Sequence, residues 1–215
     1  MNKNLKKRIN TSIILFIFAI LFILINKILF FLATFIILSI CIVEWYKLNR
    51  KYFRKKKIEY NLVIIIGIIY AFIVLFTIIN LRGDNFEEAT FLIFILSICF
   101  ASDIGGYVFG KFFGGKKLIK ISPNKTISGS IGSFILSLLP LFLFNFQISL
   151  KNIFVCLIIS LSCQIGDLII SYFKRLNKIK NTGNILPGHG GLLDRLDGII
   201  FAIPIAYILK ILLII

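Results

Sequence analysis

Long apolar runs constrain this chain more than any other feature. They lie at about 11–25, 28–46, 61–81, 89–109, 128–147, 151–173 and 193–215. The last five are long enough to cross a bilayer as helices, which takes about 20 residues. A water-soluble helical core would not need repeated runs of this length. The sequence therefore predicts an all-α, polytopic membrane protein with about seven transmembrane helices.

The basic residues predict how these helices are oriented. Of the 25 lysines and arginines, 21 lie in the segments 1–8, 47–60, 110–127 and 174–195. Lys27, Arg82 and Lys151 lie in the segments between them, and Lys210 lies in the last run. Because basic segments stay cytoplasmic, we expect a multi-pass protein of the bacterial inner (cell) membrane with an external C-terminus. Orientation also explains the net charge of +16, so we expect no nucleic-acid partner.

The first two runs are short and are separated only by Asn26 and Lys27. One long helix is an alternative, but basic clusters precede and follow the pair, so an even number of crossings is favoured. We therefore expect a tight hairpin, and an uncleaved first helix because no small-residue cleavage site follows it. We divide the chain into N-terminal transmembrane helices, 1–88, and a C-terminal transmembrane catalytic region, 89–215.

Two carboxylates, Asp103 and Asp167, lie near or inside apolar runs. A carboxylate there is costly unless it is paired, bound to metal or facing water, so function is the default interpretation. The alternative is a structural ion pair with a nearby lysine.

The run at 151–173 carries a polar face. Its members follow one another at steps of three or four residues: Ser160, Gln164, Asp167, Ser171 and Lys174. At 3.6 residues per turn they share one side of a helix, which predicts a polar cavity that opens towards the cytoplasm. Interhelical hydrogen bonding is the alternative for Ser160 and Gln164, but it does not explain Asp167.

Glycines mark a face of the run at 89–109, where Gly106 and Gly110 align with Asp103. Small residues let another helix or a ligand approach closely, and helix packing explains the glycines equally well. The following segment, 110–117, is rich in glycine and lysine, and Ser122, Lys125 and Thr126 come next. Exposed backbone N–H groups, lysines and hydroxyls suit phosphate oxygens, although basic cytoplasmic loops also attract anionic lipid headgroups.

The most distinctive segment runs from Lys174 to Asp197. It contains the only histidine of the chain, His189, within a glycine-rich stretch, and then Asp194-Arg195-Leu196-Asp197. A helix cap is the alternative for Asp194, and a turn is the alternative for His189. Carboxylates bind Mg²⁺, and Mg²⁺ with basic side chains clamps phosphates during transfer. The residues thus indicate a metal-dependent phosphate-transfer enzyme with a lipid substrate.

The same residues resemble the phosphatidate cytidylyltransferase (CDP-diacylglycerol synthase) family. The signature of that family resembles S-x-x-K-R, then K-D, then P-G-H-G-G-x-x-D-R-x-D. The residues of this chain that resemble the three parts of the signature are Ser171–Arg175, Lys180-Asn181 and Pro187–Asp197. Positions around Asp103, Gly106-Tyr107, Ser122–Thr126 and Gly166–Leu168 match as well, so the resemblance covers roughly 100–205.

This resemblance implies a reaction and a set of residues. The phosphate of phosphatidic acid attacks the α-phosphorus of CTP and releases pyrophosphate. Asp167 and Asp194 are implied as Mg²⁺ ligands supported by Asp197, and a second cation such as K⁺ is allowed. Four cations are implied to neutralise the triphosphate: Lys125, Lys174, Arg175 and Arg195. The remaining implied substrate contacts are Asp103, Ser122, Thr126, Lys180, Gly188, His189, Gly190 and Gly191. Relatives are homodimers, and we expect the same here.

Four departures from the family pattern concern nucleotide contacts and the identity of the lipid. They lie at Ile104, Ile127-Ser128, Ile170 and Asn181.

Two other functions fit parts of the pattern. A CTP-dependent polyprenol or phytol kinase would use the same metal and nucleotide, and a transporter would also carry intramembrane carboxylates.

Overall fold

The structure is a computed structural model that describes residues 20–24, 26–50, 52, 57–119, 122–183, 185 and 190–213. Its helices are α1 (Lys27–Arg50), α2 (Lys57–Arg82), α3 (Phe86–Phe113), α4 (Ile127–Leu136), α5 (Leu139–Leu143), α6 (Leu150–Leu176) and α7 (Leu193–Leu213). Four of them, α1, α2, α3 and α6, are long and apolar enough to cross a membrane. The prediction of an all-α, multi-pass membrane protein is confirmed, and each predicted run from residue 28 onwards corresponds to a helix or a pair of helices.

The described chain forms two compact units. The first contains the residues up to Ile93 together with Leu176–Leu196, and the second contains Phe94–Arg175 together with the residues from Asp197 onwards. The predicted division after residue 88 separates the chain by function and not by compactness. The catalytic role expected for 89–215 stays a prediction.

In the first unit, the two ends of α1 contact different parts of the chain. Near its start, Lys27 forms an ion pair of 2.5 Å with Asp84, and Arg82 donates to the carbonyl of Ile23 at 3.2 Å. Just beyond its end, the N–H of Tyr52 donates to the side chain of Asn177 at 2.9 Å. Segments expected on opposite sides of the membrane therefore lie at opposite ends of α1. The sidedness itself stays a prediction.

Asn26 separates α1 from the helical residues 20–24. Its side chain accepts a hydrogen bond of 2.8 Å from the N–H of Ile28, as a residue that caps a helix start does. One continuous helix through Asn26 is therefore wrong. The course of residues 1–19 lies outside the described residues, so the hairpin stays a prediction.

The run at 128–147 was expected to form one spanning helix, and this is wrong. It forms α4 and α5, separated by Ser137 and Leu138. Pro140 explains the break, because proline has no N–H and its ring clashes with the carbonyl four residues earlier. Leu138 instead donates its N–H to Ile135, three residues back, at 3.3 Å.

Between α3 and α4 lie two short antiparallel strands that the sequence did not predict, β1 (Lys117–Ile119) and β2 (Ser122–Thr126). Thr126 ends β2 and caps α4, because its hydroxyl accepts from the N–H of Gly129 at 3.1 Å. This short ribbon fixes where Lys125 stands.

In the second unit, glycines let α3 approach α4 and α6 approach α7. A Cβ on Gly129 would lie 2.8 Å from the carbonyl of Gly106, and a Cβ on Gly166 would lie 2.6 Å from the carbonyl of Asp197. No larger side chain fits at these two crossings. A Cβ on Gly106 itself would lie 2.8 Å from the Oγ of Ser133, so the packing of α3 on α4 is sufficient to explain this glycine.

Candidate active site

The polar face of α6 forms two consecutive hydrogen-bonded groups. The first group links helices, because the hydroxyls of Ser102 and Ser160 are 2.8 Å apart and Ser130 donates to Gln164 at 2.5 Å. Ser160 and Ser102 are completely buried. Interhelical hydrogen bonding therefore explains Ser160 and Gln164, whereas the predicted cavity stays a prediction.

The second group centres on Asp167, one turn further along α6. The Nζ of Lys125 lies 2.5 Å from its Oδ2, and Ser171 donates to its Oδ1 at 3.3 Å. The Lys125 and Asp167 side chains are 26% and 31% exposed, respectively. The ion pair weighed as an alternative for Asp167 is thus present. It leaves part of the carboxylate open to an incoming ligand.

Two further carboxylates lie in the same unit as Asp167. Asp197 lies near enough to Asp167, Asp103 and Lys174 to interact electrostatically with each of them. The thiol of Cys163 donates to Asp103 at 3.8 Å. Because like charges at short range repel one another, such a cluster favours the approach of cations. The structure therefore brings residues of the ribbon, α3, α6 and α7 together: Lys125, Asp103, Asp167, Lys174 and Asp197.

Asp194 belongs to the first unit and holds the turn that precedes α7. Its Oδ2 accepts from the N–H of Thr182 at 2.8 Å and from the N–H of Gly191 at 3.0 Å. Asp194 is therefore not the helix N-cap that was weighed as its alternative, because it lies inside α7 and accepts from N–H groups that precede the helix. The predicted sharing of one Mg²⁺ by Asp167 and Asp194 joins residues of two units and stays a prediction.

Gly190 adopts a backbone conformation that disfavours any other residue. Its φ is +88°, in the left-handed region. A Cβ there would lie 2.8 Å from the Oδ2 of Asp194 and 3.1 Å from the side chain of Asn181. Glycine is therefore strongly favoured in the turn that presents Asp194.

Sequence reasoning missed one buried carboxylate, Glu44 in α1. It is only 2% exposed and accepts from the N–H of Leu192, the N–H of Leu193 and the hydroxyl of Thr182. A signal was present, since Glu44 lies within a predicted membrane run, where a carboxylate is functional by default.

The other predicted residues are distributed over both units. Ser122 is buried, and Lys180, Arg175 and Arg195 are exposed. Gly188 and His189 lie outside the described residues, so the predictions made for them stay predictions. Within the described part of the chain, no group of three or more His, Cys, Asp or Glu side chains is arranged to hold a metal ion.

The helices and the contacts around Asp167 together indicate the general class of protein to which this chain belongs. This is a multi-pass helical membrane protein with a partly exposed carboxylate–lysine cluster on the polar face of a long helix.

Comparison with known proteins identifies the family within this class of membrane proteins. Residues 51–213 match the model of the cytidylyltransferase family, and the chain belongs to that family. It is similar to phosphatidate cytidylyltransferases of Staphylococcus aureus, 44% identical over 131 residues, and Staphylococcus haemolyticus, 40% identical over 136 residues. The matched part is 58% of this chain and 50% of the first relative, and 60% of this chain and 51% of the second. The chain thus spans about half the length of the curated relatives that it matches.

Proposed function

We propose that this protein transfers CMP from CTP to phosphatidic acid, giving CDP-diacylglycerol and pyrophosphate. The observation that carries the proposal is the contact of Lys125 with Asp167 beside Asp103 and Asp197, in a member of the cytidylyltransferase family. Relatives named phosphatidate cytidylyltransferase support this choice of substrates.

The donor set suits magnesium. Mg²⁺ prefers oxygen ligands and is usually held by one or two carboxylates together with substrate phosphates, so it needs no cage of three protein ligands. Asp167 offers a partly exposed carboxylate whose partner is a lysine. We propose that Asp167 holds the ion, and Asp194 remains the second ligand that the family resemblance implies. When bound, Mg²⁺ would neutralise charge that builds up on the phosphates during transfer.

The basic side chains would do the rest of the electrostatic work. A phosphate oxygen of phosphatidic acid forms a bond to the α-phosphorus of CTP, and the bond to the bridging oxygen of the leaving pyrophosphate breaks. Both substrates are anions, so cations must offset their repulsion before the atoms can meet. Lys125 and Lys174 stand among the carboxylates of the second unit. We propose that Lys125 moves from Asp167 to a phosphate oxygen when CTP arrives.

The charge distribution supports placing this reaction at the cytoplasmic face of the inner membrane. Lys125 and Lys174 both belong to segments that are basic and thus expected to be cytoplasmic. CTP is a soluble nucleotide and phosphatidic acid a bilayer lipid, so a site at this interface meets both. Assembly into a homodimer stays a prediction.

The lipid requirement tests the proposal. Purified protein in mixed micelles would receive CTP and Mg²⁺ with phosphatidic acid, with diacylglycerol or with a polyprenol. We expect a CDP-lipid with phosphatidic acid only, identified by mass spectrometry. A phosphorylated lipid alcohol formed without phosphatidic acid would contradict the proposal and indicate a kinase.

A further inference from the structure

The carboxylate of Glu44 connects α1 to two separate stretches of the first unit. Its Oε1 accepts from the N–H of Leu192 at 3.1 Å. Its Oε2 accepts from the N–H of Leu193 at 2.8 Å and from the hydroxyl of Thr182 at 3.0 Å. One buried side chain therefore joins both ends of the loop before α7. We refer to residues 182–183 and 190–194 as the loop ends.

The fit around Glu44 is close. A Cβ on Gly183 or on Gly191 would overlap its carboxylate, so both glycines lie directly against it. Burying a carboxylate is costly unless several donors compensate it. Three hydrogen bonds provide that compensation, and they require the loop ends to stand where they do.

The loop ends that Glu44 holds also place Asp194. Thr182 donates its hydroxyl to Glu44 and its N–H to Asp194. Gly191 donates its N–H to Asp194, and the next two N–H groups donate to Glu44. The two carboxylates therefore accept hydrogen bonds from the same two short stretches of the chain.

We propose that Glu44 is a positioning residue for nucleotidyl transfer, which it supports by fixing the loop ends and thereby the carboxylate of Asp194. This inference rests on the function proposed above, in which Asp194 belongs to the reaction site. Glu44 is only 2% exposed, so in this proposal it acts through the loop ends and not by contact with a substrate.

A graded series of variants isolates this role. Glu44→Ala removes all three hydrogen bonds. Glu44→Gln keeps the size and one carbonyl oxygen, but its NH₂ group must face a backbone N–H. Thr182→Val removes only the hydroxyl bond, and Thr182→Ser preserves it. Thr77→Val is the matched control, because Thr77 is 5% exposed and Thr182 is 6% exposed, but the Thr77 hydroxyl donates within α2, to Ile73 at 2.8 Å.

Hydrogen exchange read by mass spectrometry tests the positioning without relying on activity. In Glu44→Ala the amides of 190–194 should exchange about tenfold faster or more, as expected when bonds to a charged group are lost. Glu44→Gln and Thr182→Val should give smaller increases, whereas Thr182→Ser and Thr77→Val should give none. Unchanged exchange in Glu44→Gln and Thr182→Val would overturn the proposal, even if Glu44→Ala failed to fold.

Turnover, normalised to monodisperse protein, tests the link to the reaction. We expect kcat to fall by about tenfold to a hundredfold in Glu44→Gln, as for small misplacements of a reacting group, with a smaller change in KM for CTP. A loss of yield or thermal stability with unchanged kcat would show a purely structural role and overturn the inference. Wild-type protein that labels no lipid would instead contradict the proposed function, and hydrogen exchange would then decide whether Glu44 positions Asp194.

Discussion

The Nζ of Lys125 lies 2.5 Å from the Oδ2 of Asp167 and joins the short β-ribbon to the polar face of α6. Both side chains are partly exposed, so solvent weakens the pair and its contribution to stability is small. The lysine is therefore well placed to exchange one anion for another. In the proposed reaction, the anion that replaces Asp167 as the partner of Lys125 is a phosphate oxygen of CTP.

Replacing Lys125 should lower turnover more than stability. Lys125→Gln should reduce kcat/KM by about a hundredfold, the typical loss when one charge-stabilising donor is removed, while Lys125→Arg should retain part of it. The thermal midpoint of the purified protein should change little. Lys151→Gln is the control, because Lys151 lies at the opposite end of α6 from Asp167. Equal activities of Lys125→Gln and Lys151→Gln would contradict the role of Lys125.

Neutralising Asp167 or Asp194 should remove nearly all turnover. Asp167→Asn and Asp194→Asn keep the shape of the side chain but lose the charge that attracts Mg²⁺. A Mg²⁺ titration of each variant checks this, with folding confirmed by gel filtration and hydrogen exchange. Asp197→Asn should also be damaging, and Ser160→Ala should be mild. Wild-type rates at saturating Mg²⁺ in either of the first two variants would refute the assignment.

Gly190→Ala should disrupt the turn that presents Asp194. Its backbone is left-handed at φ +88°, which costs an alanine roughly 1–2 kcal/mol, and the new methyl group would press on Asp194. Gly114→Ala is the matched comparison, since Gly114 is also left-handed, at φ +57°, but has open space around it. Thermal unfolding should show the larger loss for Gly190→Ala. Equal losses would mean that the contact with Asp194 contributes nothing.

The sequence was a good guide to the helices because spanning a membrane requires about 20 apolar residues in succession, a property visible in one dimension. It was a poorer guide around Pro140. The apolar run continues through this residue, but the hydrogen bonding of one helix does not. The strands β1 and β2 were not predicted because they are three and five residues long and carry no alternating apolar pattern.

The sequence also identified the chemistry of the site better than its contacts. Asp167 stood out as a carboxylate in an apolar run, but nothing local indicated that Lys125 is its partner. Glu44 was missed although the same argument applied to it. Its three donors come from residues 182, 192 and 193, and only the folded chain brings such distant positions to α1.

The orientation of the chain can be tested with single cysteines. All four native cysteines are buried, so background labelling should be low. Ile58 is 78% exposed and lies at the start of α2. Phe86 is 72% exposed and begins α3, just beyond the other end of α2. In intact cells a membrane-impermeant maleimide should label Phe86→Cys directly and Ile58→Cys only after permeabilisation. The reverse pattern would overturn the orientation predicted from the basic residues.

The phosphorus atom of CTP that is transferred to the lipid decides between nucleotidyl transfer and phosphoryl transfer. Nucleotidyl and phosphoryl transfer rely on the same metal and cations, so only the bond that breaks distinguishes them. We expect phosphatidic acid to acquire label from [α-³²P]CTP, and label from [γ-³²P]CTP to appear in pyrophosphate. Transfer of the γ-label to a lipid alcohol, with no α-label in any lipid, would contradict the account.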